Sequence, residues 1–361
     1  TYGNPRLYLM HWLIDVEGAY GFRNGSGETS IVFMNTFQRG KQESSYETVP
    51  HAAWNDWANG GGTYGYEPLF TRGGPLYTPA EGGPFPYSRK WSYTNAPDAE
   101  VRAIQWAYQA RKFATEQGVA ASIQTQTDRA RKMGDYTRYN LFDKYYREIG
   151  NNQVAGLNFV DPTDGNTYHN ACHYLINWYA SWGGAAVTSG VGDWSYRIGC
   201  SESHHGYQSV IAAYAMATGG GGMVPQSPTA GRIWARSLQR QIEMIRWLQS
   251  PQGPIAGGVT NSDNDRYATV TGRNGAKFYG MDYVYSPVWG DPPSNNWVGF
   301  QGWGHSRTAD LFLEVSNETN ALAVSIRPNL EIILDRLVGW FIRESDTSSP
   351  TSFKIPAELS W

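Results

Sequence analysis

The sequence predicts one mostly α-helical domain, built as a toroid of helices with long loops at their ends. Amphipathic helical periodicity recurs along the chain, and long stretches rich in glycine, proline and aromatic residues separate the helical segments. Alternating strand patterns are few, and no linker-like break divides residues 1–361. Many amphipathic helices in series, with elaborate connecting loops, favour an α/α toroid over a sheet-based fold.

Eight segments carry the helical pattern, in which apolar residues recur every three to four positions. They are Arg6–Gly18, Asp98–Gly118, Ser122–Ile149, Tyr168–Trp182, Gly206–Ala217, Pro228–Gln249, Gly299–Val315 and Asn320–Glu344.

Capping residues predict where several of these helices begin and end. Pro228 suits a first helical turn, and the glycines that follow Gln117, Trp182 and Thr218 suit helix ends. The glycine run 219–222 lacks the Lys-Ser/Thr pair of a phosphate-binding loop and is predicted to stop a helix. The two best strand patterns are IVFMNTF at 31–37 and FYGMDYVY at 278–285.

The composition indicates a carbohydrate-binding protein. The chain holds 15 Trp and 24 Tyr, more than core packing explains, because each buried Trp or Tyr brings a polar atom that needs a partner. Flat rings of this kind stack on the apolar faces of pyranose sugars. A net charge of −3 with scattered basic residues argues against nucleic acid, and no apolar run is long enough for a membrane span.

Asp98 lies where an aromatic loop meets a predicted helix. Its carboxylate could cap that helix by accepting a bond from the backbone N–H of Glu100 or Val101. Trp91 and Tyr93 directly precede it, and a carboxylate beside aromatic sugar platforms is where a general base would lie. The two roles do not exclude each other.

Three further clusters have both functional and structural interpretations. In HNACH, His169 and His173 at i,i+4 resemble a metal pair, but no third ligand is near and a buried histidine on a helix face is favoured. The stretch CSESHHGYQS (200–209) could line a polar cleft, and without a GxSxG elbow a nucleophilic serine is disfavoured. The loop at 35–50 is rich in oxygen ligands of the kind that Ca²⁺ takes, but without a matching distant carboxylate a solvated acidic loop is the default.

Several long motifs occur in an order that resembles the central part of glycoside hydrolase family 48. They are MHWLIDVEGAYGF, NTFQRGKQESSYETVP, YTNAPDAEVRAIQ, KMGDYTRYNLFDKYY, GYQS, RQIEMIRWLQSPQGPIAGGVTNS, FYGMDYV and DPPSNNWVGFQGW. The resemblance runs from about Tyr2 to the final IPAELSW. It implies an (α/α)6 barrel, here incomplete, in which a substrate tunnel leads into an open cleft.

The activity that the resemblance implies is that of a secreted, extracellular cellulase. Bacterial members are mostly processive, inverting enzymes that release cellobiose from the reducing ends of cellulose chains, and some insect members act on chitin. The sequence does not separate cellulose from chitin. The expected ligand is a cellulose or cello-oligosaccharide chain. The longer protein could also carry further modules, such as a dockerin or a carbohydrate-binding module.

The resemblance also assigns catalytic and metal-binding roles. Asp98 matches the aspartate proposed as the catalytic base, and Tyr207 matches a tyrosine that helps to hold the attacking water. Gln42 and Glu47 match two calcium ligands and Asp291 matches the third, which would supply the distant carboxylate missing above. The calcium ion would be structural, tying two loops together, and no organic cofactor is implied.

The sugar platforms and polar groups of the family's tunnel also have matches in this chain. They are Trp12, Asn35, Phe37, Gln38, Lys144, Trp178, Tyr179, Trp182, Trp194, Tyr196, Gln208, Trp297 and Trp303.

The chain departs from the family in several places. The family's general acid, a glutamate in an upstream helix, has no counterpart here, so we expect a fragment of a longer enzyme, with a non-catalytic carbohydrate-binding relative as the alternative. Asp263 stands where an aromatic residue is usual, and Tyr196 replaces the second Trp of a WSW motif. His205 stands where an aromatic or glycine is common, and GHSR (304–307) replaces SMQR.

Overall fold

A computed structural model of the protein describes residues 97–141, 174–176, 203–225, 230–260, 275–279, 281–285 and 298–359. Within these ranges the side chains of residues 136, 139 and 140 are not described. Elsewhere the structure gives the backbone of short strands. Helices predominate in the described part of the chain, as the sequence predicts.

Six α-helices form the described core. They are α1 (Pro97–Glu116), α2 (Gln124–Thr137), α3 (Val210–Thr218), α4 (Ala230–Leu248), α5 (Val298–Val315) and α6 (Ala321–Glu344). Short 3₁₀ turns at Ala120–Ile123, Arg138–Leu141, His205–Tyr207 and Gly220–Gly222 lie beside them.

Helix α3 is the centre of the packing. Every residue from Val210 to Met216 is buried, because this short helix is apolar all round and packs against α1, α4 and α5. Helix α2 packs on α1, and α6 packs on both α4 and α5. The buried Trp234 of α4 fixes α2 at the same time, since its indole N–H donates to the carbonyl of Gly134 at 3.1 Å.

Local sequence explains where the helices begin and end. Gly219 ends α3 in the left-handed conformation with φ of 70°, and its N–H bonds to the carbonyl of Ala215. This confirms that the glycine run stops a helix. At the start of α6, the Asn320 side chain accepts a bond from the N–H of Ala323 at 2.9 Å, which satisfies an otherwise unpaired donor.

Thirteen short strands are assigned. They are β1 (Arg6–Tyr8), β2 (Trp12–Asp15), β3 (Met34–Asn35), β4 (Thr48–Pro50), β5 (Lys90–Asn95), β6 (Asn158–Val160), β7 (Thr167–His169), β8 (Ala180–Ala186), β9 (Asp193–Ile198), β10 (Glu202–His204), β11 (Gly258–Thr260), β12 (Lys277–Phe278) and β13 (Met281–Val284).

Antiparallel pairing arranges these strands into four sheets. The largest has the order β3-β2-β5-β8-β9, and a second has the order β10-β11-β13-β12. Strands β1 and β4 form one two-stranded sheet, and β6 and β7 form another. Strand β3 lies within the predicted IVFMNTF stretch, whose other residues lie outside the described part. The predicted FYGMDYVY strand is instead a hairpin, in which β12 ends at Phe278 and β13 covers Met281–Val284.

Two helix predictions are wrong. The segment Arg6–Gly18 contains strands β1 and β2, and Tyr168–Trp182 contains parts of β7 and β8. In each case pairing with distant strands overrides a local apolar pattern that suits either structure. Because His169 lies in a strand, the proposed helical spacing with His173 is also wrong, and His173 itself lies outside the described residues.

The other six helix predictions are confirmed where the structure describes them, with shifted ends. The predicted helix at 122–149 is α2 between two 3₁₀ turns, and its residues 142–149 lie outside the described part. The predicted helix at 206–217 starts later, at Val210. The predicted start at Pro228 lies outside the described residues. Among the described helices, none has a stretch apolar and long enough to span a bilayer.

Candidate active site

Asp98 lies in the first turn of α1. The helix begins at Pro97, so the prediction that Asp98 is the N-cap is wrong by position. Its carboxylate Oδ2 instead accepts a 2.8 Å bond from the guanidinium of Arg102, one turn along the helix. Among the described residues, Oδ1 has no hydrogen-bond partner. A negative charge in the first turn also suits the helix dipole, and the second oxygen is left to interact outside the helix.

The largest sheet leads directly to Asp98. Its central strand β5 ends at Asn95, and α1 begins two residues later at Pro97. Five of the predicted sugar-binding residues lie in strands of this sheet, where the structure gives only their backbone: Trp12, Asn35, Trp182, Trp194 and Tyr196. The pairing places Trp12 opposite Asn95 and Trp182 opposite Tyr93. Residues far apart in the sequence therefore converge on the strand that leads into helix α1.

Tyr207 ends a 3₁₀ turn between β10 and α3. Its side chain is 7% exposed, and its ring lies against that of His204, with centroids 4.1 Å apart. The Nδ1 atom of His204 accepts a bond from the N–H of Gly206 at 2.9 Å, which closes the turn. The position of Tyr207 is therefore set by the backbone of the turn rather than by a flexible loop.

Gln208 fixes this turn to a neighbouring segment. Its side-chain amide both donates to the carbonyl of Ile176, at 2.8 Å, and accepts from its N–H, at 3.0 Å. The same amide donates to the hydroxyl of Ser203 and to the carbonyl of His204. Gln208 is 1% exposed, so its amide stabilises the backbone around the turn. Direct contact between Gln208 and sugar stays a prediction.

Arg307 of α5 holds the backbone on both sides of Tyr207. Its Nη1 donates to the carbonyl of Gly206 at 2.8 Å and to the carbonyl of Gln208 at 2.6 Å. The side chain is 5% exposed, so these bonds are made in a largely dry environment. Sequence analysis noted Arg307 only as part of the divergent GHSR stretch, because no local pattern signals bonds to carbonyls about a hundred residues away.

The same guanidinium joins the turn of Tyr207 electrostatically to the start of α1. Burial and, to a lesser extent, the positive charge of Arg102 lower the pKa of Arg307, and the negative charge of Asp98 opposes them, which leaves a pKa of about 10. The pKa remains high enough for the guanidinium to be charged at neutral pH. Arg307 therefore bonds the turn of Tyr207 and lies within electrostatic range of Asp98, while a shared catalytic site for the two residues stays a prediction.

A second polar chain connects the same elements. The hydroxyl of Ser209 donates to the amide oxygen of Gln105 on α1 at 3.2 Å, and the amide nitrogen of Gln105 donates to Asp310 on α5 at 3.4 Å. Both Ser209 and Gln105 are buried, so loss of either partner leaves a desolvated polar group. The start of α3 is therefore fixed to α1 and α5 independently of Arg307.

Aromatic side chains of α5 line the neighbouring surface. Phe300 is buried and meets His204 edge-on at 4.9 Å. Trp303 lies one turn further on, is 38% exposed and contacts the edge of Phe300 at 5.6 Å. A partly exposed indole supported by a buried ring is the arrangement that a sugar-stacking platform requires, which agrees with the prediction for Trp303.

Three buried histidines lie behind Tyr207. Burial lowers the pKa of His204 and of His305 well below the usual range, and it lowers the pKa of His205 to about 4. Within the described residues, His204 Nε2 and both ring nitrogens of His305 have no hydrogen-bond partner. No group of three or more His, Cys, Asp or Glu side chains in the described part could hold a metal ion, so we assign these histidines a neutral packing role.

Two departures from the family pattern are physically linked. A Cβ atom at Gly304 would lie 2.3 Å from Cδ2 of His205, closer than side chains approach each other. The imidazole of His205 therefore occupies the space that a serine at position 304 would need, and it lies 5.7 Å from the ring of His305. The histidine at 205 and the glycine at 304 form one compensated change.

The buried histidines predict acid sensitivity of the fold. An unfolded histidine titrates near pH 6.5, so between that value and about pH 4 the unfolded chain binds a proton that folded His205 does not. Stability is therefore complete above about pH 6.5 and falls as the pH falls, by about 2 kcal/mol at pH 5 for His205 alone. Chemical denaturation at pH 7.5 and pH 5 measures this loss. The variant His205→Phe should reduce it, and an unchanged loss would contradict the assignment.

The remaining predicted site residues lie outside the described part of the structure. The calcium ligands Gln42, Glu47 and Asp291 belong to this group. So do six of the predicted sugar-binding residues: Phe37, Gln38, Lys144, Trp178, Tyr179 and Trp297. Conversely, the structure adds Arg307, Arg102 and Gln105, whose roles depend on contacts between separate elements.

Comparison with known proteins gives consistent matches along the whole chain. The profile described as Glycosyl hydrolase family 48 matches residues 1–361. Exoglucanase B of Cellulomonas fimi is 42% identical over 370 residues, covering 100% of this chain and 31% of that protein. Endoglucanase F of Ruminiclostridium cellulolyticum is 40% identical over 362 residues, covering 100% and 45%. The cellulose 1,4-beta-cellobiosidase (reducing end) CelS of Acetivibrio thermocellus is 40% identical over 361 residues, covering 100% and 43%.

The chain therefore spans between about a third and a half of the length of these relatives. Within that span the match is continuous, and it includes the helix of Asp98, the turn of Tyr207 and the helix of Arg307. The chain belongs to glycoside hydrolase family 48.

Proposed function

We propose that the protein to which this chain belongs hydrolyses β-1,4-glucosidic bonds of cellulose with inversion, releasing cellobiose from the reducing chain end. The printed names of three relatives, an exoglucanase, an endoglucanase and a reducing-end cellobiosidase, support a cellulose-degrading enzyme. The observation that carries the proposal is the link through Arg307 between Asp98 and the turn that holds Tyr207.

In this proposal Asp98 is the general base. One carboxylate oxygen is engaged by Arg102, so the other can take a proton from a water molecule. Tyr207 orients that water, whose oxygen bonds to the anomeric carbon as the bond from that carbon to the leaving sugar oxygen breaks. In an inverting enzyme the acid and base carboxyls stand about 6.5–9.5 Å apart, which leaves room for the water.

Protonation of the leaving oxygen requires a second group. We assign that role to no residue described here. Trp303 would hold a sugar ring by stacking, and the fixed turn would hold the water without reorganisation during the reaction. The chain thus supplies the base and its surroundings.

The wider architecture and location are also proposed. The packing of α3 among α1, α4 and α5 is compatible with an (α/α)6 barrel in which α3 is an inner helix. Secretion follows from the polymeric substrate, which no cell takes up intact. The greater length of the relatives leaves room for additional modules.

We also propose a structural Ca²⁺ ion held by Gln42, Glu47 and Asp291. One amide and two carboxylate oxygens form a hard donor set that suits calcium and would leave other positions for backbone oxygens or water. The ion would join two loops and take no part in proton transfer.

Removal of calcium should lower thermal stability. At a free calcium concentration of a hundred times Kd, binding stabilises a folded protein by about 2.7 kcal/mol, so a chelator should lower Tm by several degrees. Calorimetric titration of the apo protein with calcium gives the affinity. Glu47→Gln should weaken it at least tenfold, whereas Glu43→Gln, the adjacent control, should not. Equal affinities would overturn the ligand assignment.

Product analysis tests the proposed function. The whole protein is incubated with amorphous cellulose and with colloidal chitin, and the soluble products and their anomeric configuration are followed by NMR. Cellobiose released initially as the α-anomer supports the proposal, and release from chitin alone would assign the other polymer. Binding to cellulose without any product would instead indicate a non-catalytic relative.

A further inference from the structure

A groove of about 520 Å³ opens on the side of the second sheet away from Tyr207. We call it the hairpin groove, because the β12–β13 hairpin forms one wall and helices α4 and α6 form the others. Its lining residues are Glu243, Arg246, Trp247, Lys277, Phe278, Tyr279 and Asn329.

The groove is separate from the proposed catalytic site. Strand β10 leads into the turn that carries Tyr207, whereas β12 lies at the opposite edge of the same sheet. Three strand spacings separate these edges, or roughly 14 Å. A ligand in the hairpin groove would therefore not contact Asp98 or Tyr207 through the same sugar ring.

Aromatic side chains form a continuous strip beside the groove. The ring of Trp247 lies 5.6 Å from Phe278 and 6.3 Å from Tyr283. Tyr283 of β13 is 37% exposed, and Tyr285, just beyond the end of that strand, is 48% exposed. Exposed rings in a row are costly to leave in water, and a contiguous patch of this kind marks a binding surface.

The charged side chains of the groove differ in whether they have a partner. Glu243 is engaged by Arg240 at 3.1 Å and by the hydroxyl of Tyr279 at 2.9 Å, and Lys277 pairs with Asp282. Arg246 differs, because its Nη1 is buried without a hydrogen-bond partner among the described residues. A buried donor without a partner is destabilising unless a ligand or water satisfies it.

The backbone of the hairpin turn is strained at Tyr279. Tyr279 adopts φ of 49°, a left-handed conformation that glycine or asparagine would adopt at lower cost. This conformation places its ring against the guanidinium of Arg240, 3.3 Å from the ring centroid. A bulky residue is present where a small one would fit the turn better, so we expect the ring of Tyr279 to contact a ligand in the groove.

We propose that the hairpin groove binds a segment of neutral β-1,4-glucan chain as a second, non-catalytic sugar site. The indole of Trp247 would carry one sugar ring, and the guanidinium of Arg246 and the exposed amide of Asn329 would bond its hydroxyls. Glu243 and Lys277 are paired, so Arg246 is the charged side chain of the groove that is left to donate to a ligand, and a sugar hydroxyl can accept that bond. The choice of glucan rests on the proposed function.

The test follows hydrogen exchange in the whole protein during titration with thio-linked cellohexaose, which resists hydrolysis. Protection of segments 243–247 and 277–285 reports on the groove, and its concentration dependence gives a Kd for this site alone. Arg246→Gln and Trp247→Ala should each weaken that Kd about tenfold, the loss of one good contact. Trp106→Ala, an exposed tryptophan on α1 outside the groove, should leave it unchanged.

Two results would overturn the proposal. One is protection confined to the region of Asp98 and Tyr207, with equal affinities in all variants. The other is tighter groove binding by a glucuronic-acid-bearing oligosaccharide than by the neutral probe. Because the readout does not depend on turnover, groove binding without cellobiose release would contradict the proposed hydrolysis alone, and release without groove binding would contradict this inference alone.

Discussion

Asn in place of Asp98 is expected to lower cellulose hydrolysis by the whole protein by about 10²–10⁴-fold, the usual contribution of a general base. Asparagine keeps the shape of the side chain and can still meet Arg102, but it cannot take a proton from water. Adsorption to cellulose should persist, because the aromatic platforms are untouched. Initial rates of cellobiose release and binding isotherms on amorphous cellulose measure the two effects.

The same substitution should have little effect on stability. The ion pair between Asp98 and Arg102 joins an arginine that is 42% exposed to an aspartate that is 14% exposed, and such pairs contribute about 0.3–1 kcal/mol. Asp128→Asn is the matched control, because Asp128 also pairs within its own helix, with Arg131 at 3.0 Å. Both variants should unfold at similar denaturant concentrations, and only Asp98→Asn should lose turnover. Normal turnover in Asp98→Asn would remove the base assignment.

Local signals in the sequence were sufficient to predict the helices whose apolar face packs against the core. The predicted segment Gly299–Val315 differs by one residue from α5, and Asn320 caps α6 as its position before an apolar run suggests. Here propensity, capping and periodicity agree, so each residue favours the same structure. The resemblance to the family added the proposed role of Tyr207 and strengthened the interpretation of Asp98 as a base, which its aromatic neighbours had only suggested.

The failures share a physical cause. The run LYLMHWLIDV contains enough apolar residues for a helix, yet its residues Trp12–Asp15 pair with strand β5, about eighty residues away. Such pairing depends on partners that a sequence window does not contain. Gln208 shows the same limit within the site: its amide bonds to Ile176, a partner that no local sequence window contains, while its contact with sugar stays a prediction.

Lysine in place of Arg307 is expected to lower kcat by about 10–100-fold with little change in KM. One nitrogen of Arg307, Nη1, donates to the carbonyls of both Gly206 and Gln208, and the rigid planar guanidinium holds it there. The ammonium group of lysine lies on a shorter, flexible stem and does not keep that position. Small displacements of a group that orients the attacking water lower the rate of the chemical step steeply. Substrate affinity depends mainly on platforms such as Trp303, which the substitution does not touch.

The effect of Arg307→Lys on protein stability must be separated from its effect on the position of the turn. Arg307→Lys should lower the free energy of unfolding by about 1–3 kcal/mol, because one buried carbonyl loses its donor. Arg327→Lys is the matched control: Arg327 also donates to two backbone carbonyls, those of Val315 and Glu318, at the end of α5 and away from Tyr207. It should lose comparable stability while keeping kcat.

The comparison of the two arginine variants decides how the site is built. If kcat falls in both in proportion to stability, Arg307 is only a structural residue and the turn of Tyr207 is held by its other bonds, such as that from Gln208 to Ile176. A fall in kcat confined to Arg307→Lys would show that catalysis requires the carbonyls of Gly206 and Gln208, on either side of Tyr207, to be held in their observed positions. Because Arg307 also feels the charges of Asp98 and Arg102, that result would make one buried side chain the element that aligns the water-holding turn with the base.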